Sequence, residues 1–98
     1  MAYTLVEFDN RVVGQYLRGE ASFKITTPAG TSEAITLPGV HTITGLKSFE
    51  ALDSGNNIVT ADADVTWSGN VLTIADGSTY DHSAVTTIYV TVFCNRKV

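Results

Sequence analysis

Only one cysteine, Cys94, occurs in the 98 residues, so an internal disulfide is excluded and the fold rests on its apolar core. That suits synthesis in a reducing cytosol. The longest unbroken apolar runs, such as Val92-Phe93-Cys94, fall far short of the roughly 20 residues needed to span a bilayer, which gives no membrane segment. A secretory start is missing too, since Glu7 and Asp9 stand where a basic region and a long apolar run are required. Basic residues are scarce: six Lys and Arg face ten Asp and Glu, a formal net charge of -4, which argues against a nucleic-acid binder that must neutralise phosphates. No glycine-rich phosphate loop, metal-spaced cysteine pair or paired catalytic acids stand out, so the expectation is a non-enzymatic protein without a cofactor.

The scarcity of positive charge is uneven along the chain. From Ser48 to Asn95 there is no Lys or Arg, while Glu50, Asp53, Asp62, Asp64, Asp76 and Asp81 contribute -6. In residues 1–47, Arg11, Arg18, Lys24 and Lys47 cancel Glu7, Asp9, Glu20 and Glu33, and Arg96 and Lys97 restore +2 at the end. A neutral first half thus precedes an acidic body with a basic tip.

What the chain does have is β-branched residues. Fourteen Thr, eleven Val and six Ile make almost a third of it, with 44% hydrophobic and 16% charged residues. Such a chain is too apolar for disorder and favours pleated strands over helix. Alternation with period two runs through Ala21, Phe23 and Ile25, through Ala61, Ala63, Val65 and Trp67, and through Ile88, Val90, Val92 and Cys94. Both faces of the last segment hold large side chains, which predicts a central strand covered on both sides. Turn residues at Pro28-Ala29-Gly30, Pro38-Gly39, Ser54-Gly55-Asn56-Asn57, Ser68-Gly69-Asn70 and Asp76-Gly77-Ser78 punctuate the pattern. Val59 to Trp67 and Val71 to Ala75 are expected to form a tight hairpin. The fold class is all-β: one domain over 1–98, a small antiparallel β-sandwich of jelly-roll or immunoglobulin-like kind, with a small β-barrel as the alternative. Segment 1–19 breaks the pattern and reads as an irregular arm or an edge strand.

Chemistry-bearing constellations are few. Asp81-His82-Ser83 has the residue types of a hydrolase triad, but adjacency is not triad geometry, and a polar turn before the last strand is the simpler reading. His41 reads as a loop or edge-strand residue. Asp62 and Asp64, two apart on one strand, would share a face and could join Asp76 or Asp81 around calcium; a solvated, anti-aggregation strand face is the simpler reading. Cys94 is expected to be a buried, inert hydrophobe. Trp67, with Tyr3, Tyr16, Tyr80 and Tyr89, could form a carbohydrate platform, although its place in the alternation favours core packing.

Three stretches resemble the small β-rich virion proteins of tailed bacteriophages, capsid decoration or accessory proteins in particular. They are Met1-Ala2-Tyr3-Thr4 with Glu7-Phe8-Asp9-Asn10-Arg11-Val12, then Thr44-Gly45-Leu46-Lys47 with Val65 to Ile74, and finally Ile88-Tyr89-Val90-Thr91-Val92-Phe93. Near the end, where such chains commonly carry a glycine or small residue, this one has Phe93-Cys94. The resemblance implies a decoration or cement protein that binds and stabilises the outer surface of the capsid. Its partner would be the major capsid protein, with the chain made in the host cytoplasm, carried on the virion, and acting singly or as a homo-oligomer. Contact is expected through Tyr3, Leu5, Phe8, Arg11 and Arg18 of the first segment and through Arg96 and Lys97 at the tip, because interface cores favour apolar and Arg side chains. An immunoglobulin-like or carbohydrate-binding module, or a neck or tail component, is the competing reading.

Overall fold

The computed structural model describes the backbone of residues 4–13, 18–26, 30–60 and 62–96. Among the described residues there are seven strands: β1 (Thr4–Val13), β2 (Arg18–Thr26), β3 (Ser32–Thr36), β4 (Val40–Asp53), β5 (Asp64–Ser68), β6 (Val71–Ala75) and β7 (Val85–Arg96). A 3₁₀ turn at His82–Ala84 leads into β7. They build two open antiparallel sheets, in the orders β1-β2-β7-β4 and β3-β6-β5. The expected small β-sandwich is therefore what forms, and the barrel alternative is not, because neither sheet closes on itself or on the other. The strand order also departs from the immunoglobulin one, which would place the fifth strand where β7 lies and the seventh where β5 lies.

Alternation explains the core. Ala21, Phe23 and Ile25 of β2 and Ile88, Val90, Val92 and Cys94 of β7 face inward and are buried. Opposite them lie Ile35 and Leu37 at β3 and Leu72 and Ile74 of β6, closed by Val40, Ile43 and Ala51 of β4 and by Tyr80 and Val85. Cys94 is buried, as the alternation requires. β7 is central, registered against β2 from Arg18↔Asn95 to Thr26↔Thr87 and against β4 on its other side. Only one of its faces is covered, however. Tyr89 and Phe93 on the opposite face stand 38% and 43% exposed, correcting the expectation that both faces would be packed. No second layer lies over the outer face of this sheet among the described residues, and large side chains on both faces of a strand do not by themselves supply one.

Within the segment that broke the sequence pattern, residues Thr4–Val13 form an edge strand. β1 pairs with β2 from Thr4↔Thr26 to Val13↔Arg18, with a register shift between Glu7 and Asp9. The other edge of the sheet, β4, carries four register shifts along its 14 residues. Bulges of that kind bend an edge away from pairing with other chains.

The β5–β6 hairpin forms, starting at Asp64 rather than Val59. Gly69 has φ 59 while Asn70 is not in the positive-φ region, the pattern of a type II′ turn that matches the twist of the flanking strands. A Cβ at Gly69 would meet nothing within 4 Å, so its requirement is conformational alone. Gly69→Ala is expected to cost about 1 kcal/mol, the order of the left-handed penalty for a residue with a Cβ. Urea unfolding of the two proteins checks this, and equal midpoints would show that the turn does not need glycine.

Candidate functional site

Three features concentrate the polar and exposed apolar chemistry of the molecule: a buried acid–imidazole chain, a loop end tied by aspartates, and the uncovered face of the four-stranded sheet.

The buried chain starts on β3. Glu33 lies in phase with Ile35 and Leu37, so alternation sends its side chain inward, and both Glu33 and His82 are fully buried. His82 Nε2–H donates to Glu33 Oε1, and the Tyr80 hydroxyl donates to His82 Nδ1 at 2.8 Å. That arrangement fixes one imidazole tautomer, with each ring nitrogen used once. Burial, joined by the negative charges of Asp76, Glu33 and Asp81, pushes the Tyr80 hydroxyl well above its ordinary range and keeps it a neutral donor. The Asp81-His82-Ser83 run does form the turn before the last strand, but its histidine is a core residue and not a polar surface one. Asp81 Oδ1 accepts from Ser83 N and from its own neighbour's hydroxyl, Ser83 Oγ, at 2.6 Å, so these three residues do not converge as a triad. The acid–base pair that does exist is sealed from solvent. Its physical work is to join β3 of one sheet to the segment entering β7 of the other.

Aspartates tie the loops beside it. Asp62 sits at φ 55, outside β5, and its carboxylate accepts from Ser78 Oγ, Thr79 N (2.8 Å), Thr79 Oγ1 (2.9 Å) and Tyr80 N (2.8 Å). These donors hold its carboxyl well below the usual carboxylate range, the Ser78 hydroxyl contributing most. Asp76 Oδ1 accepts from His82 N at 2.8 Å, and Asp53 accepts from Gly55 N and Asn57 N at 2.9 and 3.0 Å. The Asn57 backbone bond is the main cause lowering the Asp53 carboxyl. The expectation of Asp62 and Asp64 sharing one strand face is thus corrected: Asp64 is the first residue of β5, while Asp62 turns into the 76–84 loop and spends its oxygens there. Among the described residues no three His, Cys, Asp or Glu side chains gather as a metal set.

Trp67 is also displaced from its expected place. It is 39% exposed on β5, because β5 is an edge strand of a three-stranded sheet whose burial is carried by Leu72 and Ile74 of β6. His41 is exposed on the edge strand β4, as its position suggested.

The uncovered face runs along β7. Lys24 Nζ lies 5.9 Å above the Tyr89 ring, a cation–π contact. Ser22 and Thr91 hydroxyls bond at 2.8 Å, and Phe93 spreads over Gly45, where a Cβ would come within 3.4 Å of its ring. Lys47, in the β4 bulge between Leu46 and Ser48, reaches across β7 to Glu20 Oε1 at 2.8 Å. Part of this was legible: the second face of the Ile88 to Cys94 run named Tyr89 and Phe93, and only their exposure was missed.

Of the residues expected to make contacts, Leu5, Phe8 and Arg11 are on β1, Arg18 opens β2 and Arg96 closes β7. Tyr3 and Lys97 lie outside the described residues. Register brings the arginines together: Arg18 pairs with Val13 and with Asn95, next to Arg96, and Arg11 sits opposite Glu20 two residues in. At the far end of the same sheet Asp53 pairs with Val85, and the loops holding Asp62, Asp76 and Asp81 lead into β7 there. Asp64, opposite Ala75, is at that end too.

Compared with protein-family models, curated proteins and solved structures, the chain matches none.

Removing the carboxylate from the buried chain tests its structural weight. Glu33→Ala should lose about 1–3 kcal/mol, the cost of a buried donor left without its acceptor, and Glu33→Gln, which keeps an acceptor oxygen, less; equal loss from both would mean that packing alone is involved. Acid tests the loop staples. Because Asp62 and Asp53 titrate below their unfolded value of 3.8, their stabilisation is present above that pH and is lost as pH falls through and beneath it. Asp62→Asn should flatten the acid limb of a plot of unfolding midpoint against pH, and an unchanged limb would assign acid sensitivity elsewhere.

Proposed function

We propose that the chain is a non-enzymatic structural protein of a tailed-bacteriophage virion, which binds the outer surface of the capsid and stabilises it. The reading takes its class from the resemblance of the chain's strands to small virion proteins. The observation that carries it is the separation of charge from end to end. Arg11, Arg18 and Arg96 collect at one end of the four-stranded sheet, and Asp53, Asp62, Asp64, Asp76 and Asp81 at the other. From Val85 to Arg96 the strand advances roughly 36 Å at about 3.3 Å per residue. The two ends are therefore several Debye lengths apart at physiological salt and act as separate surfaces.

A body of this shape docks by its basic end and presents its acidic end to solvent. The shell partner is the major capsid protein, met at the basic end through Arg11, Arg18, Arg96 and Lys97; Leu5, at the other end of the edge strand β1, and Phe8, midway along it, extend the contact along that edge. Binding only the assembled shell raises the shell's apparent stability by mass action, and contact with more than one subunit multiplies the effect. The sealed Glu33–His82 pair supports contact rather than chemistry as the mode of action. The exposed indole of Trp67 favours a second reading, a carbohydrate-binding module, which the same experiment separates.

Purified capsids of the phage whose genome encodes the chain are the test. Arg18→Glu with Arg96→Glu should weaken binding by about tenfold, chiefly through association rate, and wild-type binding should fall with added salt. Trp67→Ala should bind as wild type. Circular dichroism checks that the variants fold. Wild-type protein that leaves capsids bare, or reversed charges without effect, would overturn the proposal.

A further inference from the structure

We infer that the open edge of the three-stranded sheet, along β3, is a strand-addition site that takes an extended segment of a partner protein with apolar residues at alternate positions. The site stands apart from the charged ends and does not rest on the capsid reading.

Hydrogen-bond phase identifies the free groups. Leu37 N–H donates to Asn70 O at 2.9 Å and Asp76 N–H to Thr31 O at 3.0 Å, at the two ends of a ladder that runs from Ser32↔Ala75 to Thr36↔Val71 without a register shift. In an antiparallel pair the bonded positions recur at every second residue, so Thr31, Glu33, Ile35 and Leu37 spend their backbone groups on β6. Ser32, Ala34 and Thr36 turn theirs the other way, where no strand lies among the described residues. Their side chains are small, uncharged and exposed, while Glu33 and Ile35 between them are buried.

The other edges are guarded. β1 and β4 carry register shifts. β5 begins with Asp64, and its hairpin turn is bonded to β4, Ile43 N–H donating to Gly69 O at 2.8 Å. β3 has no Lys, no Pro and no bulge, and its charged residue, Glu33, points inward onto His82. An edge left straight and uncharged is a template for pairing with another chain.

Layer count decides the occupant. Four strands face three, and the tie from β4 to the β5–β6 turn aligns the sheets on that side, so β1 on the other side has no strand of the small sheet opposite it. A strand bonded to β3 takes that place and completes a sandwich of four on four. Its residues in phase with Glu33 and Ile35 point toward the larger sheet and are therefore apolar; those beside Ser32, Ala34 and Thr36 face solvent. Backbone bonds supply the affinity of such an addition, and the alternate side chains its selectivity. A second copy's β3 does not fit, because a two-fold axis perpendicular to the small sheet would drive the β1 strands of both copies into one layer.

Amide exchange on the whole chain tests the edge. Ser32, Ala34 and Thr36 should exchange fast, and Glu33 and Ile35 slowly. The probe for the site is a synthetic peptide with the sequence of residues 70–76, since β6 already matches β3 in length and alternation. Its addition should slow exchange at Ser32, Ala34 and Thr36. Ala34→Pro removes an edge donor without touching the β6 ladder, so it should keep the circular dichroism of the fold and weaken the peptide on the order of tenfold. Thr36→Pro makes the same test at the next edge position should Ala34→Pro not fold. A peptide that leaves wild type unprotected, or that binds the proline variants as tightly because it replaces β6, overturns the site. Equal binding of a peptide carrying Leu72→Ser and Ile74→Ser overturns the apolar alternation. Protection of the same three amides by rising protein concentration alone overturns the choice of partner in favour of a second copy.

Discussion

Neither sheet could hold its present form without β7 seated between β2 and β4. Its inward side chains, Ile88, Val90, Val92 and Cys94, form the middle of one wall of the core, and its backbone supplies the ladder to both neighbours. β2 ends at Thr26 and β7 begins at Val85, so the four-stranded sheet is completed only when the last strand returns across most of the chain. Closing a loop of that length costs entropy before any contact offsets it, which makes this pairing the one with the largest closure cost in the sheet. The β5–β6 hairpin, by contrast, is local and needs only its own turn.

That dependence gives the buried Glu33–His82–Tyr80 chain its meaning. β7 must be aimed into its slot from the loop that follows β6, and His82 sits at the mouth of that slot. Its backbone N–H is held by Asp76, its ring by Glu33 of β3 on one side and Tyr80 on the other. A polar chain buried in an otherwise aliphatic core adds little stability, since desolvation offsets much of its attraction. Direction is what it adds: an apolar side chain could fill the volume, but only a group with two fixed nitrogens ties one sheet to the entrance of the other strand.

Alternation made the strands and the inward residues legible, because burial on one face of a sheet writes itself as period two. It also contained Glu33, in phase with Ile35 and Leu37, though a lone carboxylate in an inward position reads as surface charge until its partner is known. His82 is 49 residues away in sequence, and nothing local marks the two as neighbours. Trp67 and Asp62 failed for a related reason. Period two says which residues share a face but not whether that face is covered, nor where the strand begins. β5 starts at Asp64 rather than Val59, and the later start frees Asp62 to turn back on Ser78 and Thr79.

The acidic stretch from Ser48 to Asn95 takes on a different character once its carboxylates are located. Asp53, Asp62, Asp76 and Asp81 are acceptors for backbone N–H groups at chain reversals, where a short side chain with two oxygens can satisfy donors that no strand can reach. Such reversals all fall at the end of the sandwich where β4 finishes and β7 starts, so the loops concentrate negative charge there. At the opposite end β2 opens with Arg18 and β7 closes near Arg96, and Val13, Arg18 and Asn95 lie in one row across three strands. A net charge of -4 therefore describes neither end. Loop architecture made one end acidic, and the polarity available for binding follows from how the turns are satisfied.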